Sequence, residues 1–428
     1  MVEYCDRQAG LAELIFGPSK LREGRFFFRS AYLGLEDIAI FNPACSATTA
    51  NQRKLNMQIE PFGVEIWMNE WETKCEWNLA ETCVESLTIA ELFALTGKDE
   101  ASLSELLTMK MSYGAIEGSN RLRAAIAELY VRQKERNVVV THGAIGANML
   151  IHRTLVEKGD RVISVVPTYQ QHYSIPASIG ADVHHLQLRE ENHFLPDLEE
   201  LHALTLPGTR LIAINNPNNP TGALMNEAML QDITDIARSA GAWILCDEVY
   251  RGTNQEGSGV TASIADIYEK GISTGSMSKA FSLAGLRLGW ITAAEELIKK
   301  VSRHRDYDTI SVGMIDDHFS TIALENKDLV LERSKSITRS NLKLLEAWVD
   351  SEPRISWVKP RSGTTALLKY DLVMSSRDFC ITLLEETGVM YTPGSTLGME
   401  GYIRIGYANT ASILKEGLAR TSLFLTKQ

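Results

Sequence analysis

Between residues 109 and 318 the chain alternates short apolar runs with longer stretches of helical length, and this alternation is its strongest constraint on fold. Val138-Val139-Val140, Val162-Ile163-Ser164-Val165-Val166, Leu211-Ile212-Ala213-Ile214 and Trp243-Ile244-Leu245-Cys246 are rich in β-branched residues, and each ends at turn or polar residues. A strand with one wet face would show a polar residue at every second position; these runs do not, so they suit strands buried on both faces. The segments between them, such as residues 226–240, are long enough for crossover helices. Strands alternating with helices imply an α/β fold with a mainly parallel sheet covered on both sides. Ligands of such sheets sit beyond the carboxyl ends of the strands.

The tail has a different rhythm. Residues 355–358, 364–370 and 402–407 read as strands, and residues 377–387 and 411–424 as helices. They predict a smaller α+β domain over residues 319–428, joined by residues 57–108, beside a large domain over residues 109–318. A chain of 428 residues exceeds what one core usually serves, which also favours two domains. Trp67 and Trp71, four apart on one helix face, are expected in the core or at an interface. Residues 1–56 form an extension that fits neither domain, with a linker over residues 43–51.

Composition excludes several classes. The 43 basic and 54 acidic residues leave a net charge of −11, which disfavours a nucleic-acid surface. No apolar run approaches the roughly 18 to 20 residues of a membrane span. The six cysteines (Cys5, Cys45, Cys75, Cys83, Cys246, Cys380) are dispersed without a Cys-x-x-Cys pair. That argues for a reducing, cytoplasmic setting and against a disulfide framework or a zinc site; Cys246, ending an apolar run, reads as a buried small hydrophobe. Glu3 and Asp6 speak against a secretory signal, whereas Lys20, Arg22, Arg25 and Arg29, interleaved with Phe26 to Phe28, leave an organellar address open.

Three motifs carry the chemistry: Asn215-Asn216-Pro217-Asn218-Asn219-Pro220-Thr221-Gly222, Asp247-Glu248-Val249-Tyr250, and Thr274-Gly275-Ser276-Met277-Ser278-Lys279, with Arg287 eight residues further on. Alone, Lys279 reads as a solvated charge, Asp247 as a cap and Asn219 as a turn residue. In this order and spacing the chain resembles a class I/II aminotransferase of pyridoxal phosphate (PLP) fold type I, from about Gln58 to its C-terminus. The resemblance implies pyridoxal 5′-phosphate as cofactor, an amino acid and a 2-oxo acid as substrates, and a homodimer with active sites at the subunit boundary.

It also implies roles for particular residues. Lys279 would hold the cofactor as a Schiff base and then act as general base at the substrate α-carbon. Asp247 would keep the pyridine nitrogen protonated, and Asn219 and Tyr250 would donate to the ring oxygen. The phosphate would rest on Gly143, Ala144 and Ile145 at a helix start, with Ser276 and Arg287. Ser278 is a further donor or a structural residue. Tyr113 would reach the neighbouring subunit's phosphate, Tyr169 would stack on the ring, and Arg404 would clamp the substrate carboxylate.

The resemblance leaves the reaction open between transamination and the elimination or cyclisation of 1-aminocyclopropane-1-carboxylate (ACC) synthases. Asn78-Leu79-Ala80-Glu81 is similar to the Leu-Ala-Glu-Asn segment of that group, with Thr82 in place of its last asparagine. Glu81 reads equally as a substrate contact and as a solvated charge. A PLP-binding regulator would carry a DNA-binding module first, and residues 1–56 show no basic helix-turn-helix pattern. Arg303 and Arg305 match a dicarboxylate-binding arginine only by proximity, while Asp306 and Asp308 suit a cation. A neutral or basic amino acid is therefore expected over a dicarboxylic one.

Overall fold

The computed structural model describes residues 59–99 and 101–428. The extension expected over residues 1–56, with its linker and its basic aromatic segment, lies outside the described residues. A helix over Gly63–Trp71 and the short strand β1 (Trp77–Asn78) come first. Seven strands follow: β2 (Val138–His142), β3 (Arg161–Val166), β4 (Asp182–Gln187), β5 (Leu211–Asn215), β6 (Trp243–Asp247), β7 (Gly271–Ser276) and β8 (Leu288–Thr292). They form one sheet in the order β2-β8-β7-β6-β5-β3-β4. The pairs from β7 across to β4 are parallel, and β8 runs antiparallel to both β2 and β7. This is the mainly parallel α/β sheet the apolar runs predict.

Both faces of the sheet are covered, which is why its strands show no polar alternation. Ile212, Ile214, Ile244 and Cys246 pack with Leu230, Ile233 and Ala237 of the helix Glu227–Ala240. Their neighbours along the strands, Leu211 and Leu245, pack with Ala147, Leu150 and Ile151 of the helix Gly143–Leu155 on the other face. Asn226 caps the first of these helices by accepting from the Met229 amide, and Gly241 closes it in the left-handed region.

Three strands carry no strong apolar signal. β4 is an edge strand whose Asp182, His184 and His185 are at least partly exposed. β7 is made of small residues because its surroundings leave no room for large ones. A Cβ on Gly271 would lie 2.2 Å from the Ile264 carbonyl oxygen, and one on Gly275 would lie 2.5 Å from the Trp290 ring. β8, which follows Arg287, is buried throughout its length.

A second sheet joins β9 (Ile355–Trp357), β10 (Thr365–Tyr370), β12 (Thr392–Pro393) and β13 (Tyr402–Gly406) in the antiparallel order β12-β13-β10-β9; β11 (Val389–Met390) pairs with β1 instead. Phe379 and Leu383 of the helix Ser376–Thr387 and Leu414, Leu418 and Phe424 of the helix Ala411–Leu425 pack on it. Trp67 joins this core fully buried, and its indole N–H donates to the Tyr391 carbonyl at 2.9 Å. Leu92 and Phe93, by contrast, pack with Leu122, Val138, Val140 and Trp290 of the larger sheet. No described helix is long and apolar enough to cross a membrane.

Replacing Trp67 by alanine leaves a large cavity and an unpaired carbonyl. The expected cost is about 3–5 kcal/mol, read as a lowered denaturant midpoint in far-ultraviolet circular dichroism.

Candidate active site

Strand register brings the motifs together. β5 and β6 pair with Asn215 opposite Asp247, and β6 and β7 pair with Asp247 opposite Thr274. All three residues lie at or near the carboxyl ends of their strands, where a cavity of about 320 Å³ opens. Of the residues expected from the sequence, Glu81, Ala144, Ile145, Tyr169, Asn219, Asp247, Tyr250, Ser276, Lys279, Arg287 and Arg404 line it. Gly143 stands just behind the lining as the first residue of the helix Gly143–Leu155. Tyr113 lines no part of this chain's cavity and is 82% exposed.

Asp247 is buried, and its carboxylate is held by neighbours that sequence reading did not single out. Oδ2 accepts from Asn148 Nδ2 at 2.9 Å, and Asn148 Oδ1 accepts from the Thr274 hydroxyl at 2.9 Å. The carboxylate can only accept, so the amide nitrogen turns toward it and the Thr274 hydroxyl donates to the amide oxygen. Oδ1 accepts from the Val249 amide at 3.2 Å, and His172 Nε2 lies 3.7 Å from Oδ2. Asn215 ties the strand ends together: its Nδ2 donates to the Asp247 carbonyl at 2.7 Å, and its Oδ1 accepts from the Asn219 amide at 2.7 Å.

Lys279 reaches across the cavity. Its Nζ donates to Thr82 Oγ1 at 2.6 Å and contacts Cys83 Sγ at 3.5 Å. Burial opposes the ammonium form, but Cys83, Tyr250 and Glu81 outweigh it and hold the lysine above its ordinary value. The Cys83 thiol is pushed up to about 11, mainly by burial. Glu81 stays below the usual carboxylate range despite burial, since Lys279 is near and the Thr82 and Cys83 amides donate to its Oε1 at 2.6 and 2.8 Å. It is an oriented carboxylate and not a solvated one.

The helix Gly143–Leu155 points its first amides at the cavity, and Arg287 reaches over the same end. A Cβ on Gly143 would lie 3.2 Å from Arg287 Nη2. Gly289 lets β8 pass beneath this turn: a side chain there would start 2.3 Å from the Gly143 carbonyl carbon. Arg404, 3% exposed, donates to Asn219 Oδ1 at 3.3 Å, Ala80 O at 3.2 Å and Thr392 Oγ1 at 3.0 Å. Its Nε is buried without a partner. The Tyr250 hydroxyl is also buried; it lies near Thr82 but makes no hydrogen bond of ordinary geometry.

This donor set fits pyridoxal 5′-phosphate. Asp247 would face a ring nitrogen, the unsatisfied Tyr250 hydroxyl and Asn219 a ring oxygen, and the helix start with Arg287 and Ser276 a phosphate. Tyr169, whose hydroxyl donates to Glu65 Oε1 at 2.8 Å, supplies an aromatic wall. Arg305, weighed above as a carboxylate ligand, is buried and donates to the Val140 carbonyl at 3.1 Å. Asp306 and Asp308 are exposed and lie outside the lining.

Comparison with known proteins agrees with this geometry. The family model for aminotransferase class I and II matches residues 100–420. The chain belongs to this family. It is similar to the capreomycidine synthase of Streptomyces vinaceus, at 30% identity over 84% of this chain and 92% of that one. It is also similar to the aspartate aminotransferase of Pyrococcus horikoshii, at 31% over 71% and 80%. Among solved structures, a PLP-dependent aminotransferase from Streptococcus suis is 41% identical, covers 86% of this chain and 98% of its own, and superimposes with a TM-score of 0.84. The protein is a PLP-dependent aminotransferase that moves an amino group between an amino acid and a 2-oxo acid.

Two groups of lining residues escaped the sequence reading. Asn148 sits inside a helix with no motif around it. Glu65, Met68 and Glu72 recur three and four residues apart on or just beyond the helix Gly63–Trp71, a stripe that would have marked a shared face. Replacing Asn148 by alanine should keep the fold and weaken PLP retention about ten- to a hundredfold, the range for one hydrogen bond to a charged group, measured by equilibrium absorbance titration.

Proposed function

We propose that Lys279 is the residue that bonds to the cofactor and moves the substrate's α-proton, with Asp247, Tyr250 and Asn219 setting the cofactor's electronics and Arg404 orienting the amino acid. The observation that carries this reading is the convergence of Lys279 Nζ, the buried Asp247 carboxylate and the unpartnered Arg404 Nε on one cavity. PLP, when bound, supplies the electron sink that stabilises negative charge at the α-carbon. Lys279 is the sole amine among the described lining residues, so the proton has one group to move to and from. Arg404 presents a guanidinium already oriented by Asn219, Ala80 and Thr392, so little of its freedom is lost when a carboxylate arrives.

Ser276, Arg287 and the start of the helix Gly143–Leu155 are assigned to the phosphate. Tyr113 is assigned to the neighbouring subunit's phosphate in a homodimer. Dimerisation is supported by Tyr113 together with Leu107 and Met111, which are 88% and 74% exposed and form apolar surface that a monomer has little use for. We further infer the division into a large and a small domain around the two sheets, and a cytoplasmic location, which the free thiols of Cys75, Cys83, Cys246 and Cys380 favour. A neutral or basic donor is favoured over a dicarboxylic one, since among the described residues the lining offers Arg404 for the α-carboxylate and, beside Arg287 at the helix start, no further guanidinium.

Similarity to a solved PLP-dependent cyclase, at 26% identity and a TM-score of 0.80, supports a second reading, elimination or cyclisation, because the same amine serves either outcome once the α-proton is removed. The deciding measurement is the cofactor's absorbance when single amino acids are added without a 2-oxo acid. Amino transfer stops after one turnover with the visible band bleached; elimination or cyclisation continues and restores the band.

Two variants test the residues. Lys279→Ala should abolish multiple turnover and leave a folded protein that holds PLP weakly. Arg404→Ala should raise KM for amino acids by about ten- to a hundredfold with little change in PLP affinity, as expected for loss of one charge-assisted pair. Steady-state kinetics and cofactor titration separate the two effects.

A further inference from the structure

We propose that Glu65, Glu72 and Glu81 form a subsite for the cationic side chain of a basic amino acid, an ammonium or a guanidinium. The inference rests on the aminotransferase reading of the same cavity and names the class of its amino donor.

The geometry comes first. Glu65 and Met68 stand on one face of the helix Gly63–Trp71, Glu72 caps its end, and all three line the cavity. Glu81 joins them from the segment after β1. Two of the carboxylates are oriented by neutral donors on one oxygen. The Tyr169 hydroxyl holds Glu65 Oε1, and the Thr82 and Cys83 amides hold Glu81 Oε1. The Cys83 thiol is a further partner of Glu81, and no donor among the described residues reaches Glu65 Oε2. Glu72 has only a long contact from Asn78 Nδ2, at 3.5 Å. The three sense one another: burial first, then Glu81 and Glu65, push the Glu72 carboxyl above its ordinary range.

Charge then decides what fits. Among the described residues the lining carries four acids, Glu65, Glu72, Glu81 and Asp247, and three bases, Lys279, Arg287 and Arg404. Asp247 is matched to Asn148, and Arg287 stands over a helix start. Arg404 lines the cavity, has no carboxylate within 4.0 Å among the described residues and keeps its buried Nε unpartnered, as a guanidinium awaiting a carboxylate would. None of the three glutamates makes an ion pair with a lysine or arginine among the described residues. A substrate whose carboxylate meets Arg404 and whose α-carbon meets Lys279 has only its side chain left to place. The wall that remains is the glutamate face. A carboxylate side chain would meet three like charges there; a cationic one would add a direct partner to the positive charge that Lys279 and Arg404 bring from beyond ion-pair distance.

The test uses the full chain loaded with PLP. Arginine, lysine, citrulline, aspartate and glutamate are each added without a 2-oxo acid, and the rate of the cofactor's spectral change is followed against concentration. Citrulline has the length and shape of arginine but no charge. The proposal expects arginine or lysine to exceed citrulline by about tenfold or more in kcat/KM, in line with one hydrogen bond to a charged group. That ratio should fall toward one in Glu72→Gln and in Glu65→Gln. Glu72 is exposed enough for its substitution to spare the fold, and the bound-cofactor spectrum verifies this for both variants. Citrulline equal to arginine and lysine, aspartate or glutamate as the best donor, or a cationic preference that survives both substitutions would each overturn it. A bound cofactor that no amino acid perturbs would instead overturn the aminotransferase reading, and this inference with it.

Discussion

A carboxylate taken out of water must find donors, and the buried Asp247 is the group around which the rest of the site is arranged. Its position is set by the ladder between β5 and β6, which puts it beside Asn215. Its charge is met by Asn148 and the Val249 amide. Asn148 is in turn fixed by Thr274 on the next strand, so three elements must be in register before the carboxylate is satisfied. His172 stands near the same oxygen, and His152 packs edge-on to it with its own charge suppressed, pushed down to about 3 by burial. The strand register thus fixes where the Asp247 carboxylate stands, which makes its geometry a property of the sheet and not of a loop.

The same economy explains the small residues around Lys279. β7 carries Gly271 and Gly275 because a helix turn and the Trp290 ring occupy the space their side chains would need. Gly289 lets β8 run beneath the turn at Gly143, so a helix start and Arg287 share one end of the sheet. Close approach of backbone replaces side-chain packing here, and hydrophobic content is lost where the chemistry needs room.

That trade also sets what the sequence reveals. Strands packed by large aliphatic residues, such as those ending at Asn215 and Asp247, announce themselves as apolar runs, and the motif residues follow them in order. β7 does not, since glycine and serine read as turn formers, and β4 does not, since an edge strand tolerates Asp182 and two histidines. Arg305 illustrates the opposite error. Its charge and position invite a ligand role, yet its guanidinium supports the Val140 carbonyl inside the fold. Tyr113 draws its reading from the family resemblance alone, since it is exposed and lines no part of this chain's cavity. Asn148 was not legible at all: a single amide in a helix acquires meaning from what two strands place opposite it.

Glu81 links the two halves of the cavity. It faces Lys279 on one side and the glutamate wall on the other, and its carboxylate is fixed by backbone amides that cannot turn away. While Lys279 is an ammonium, Glu81 already has a cation nearby, and Glu72 feels that lysine as well. With the lysine uncharged, Glu81 and Glu65 keep Arg404 as a positive neighbour beyond ion-pair distance, and a cation brought in from solution would complement them. If the proposed subsite takes a cation, the state of the Lys279 amine and the affinity for that cation are coupled through Glu81. The coupling favours entry of a cationic donor when the amine no longer competes for Glu81.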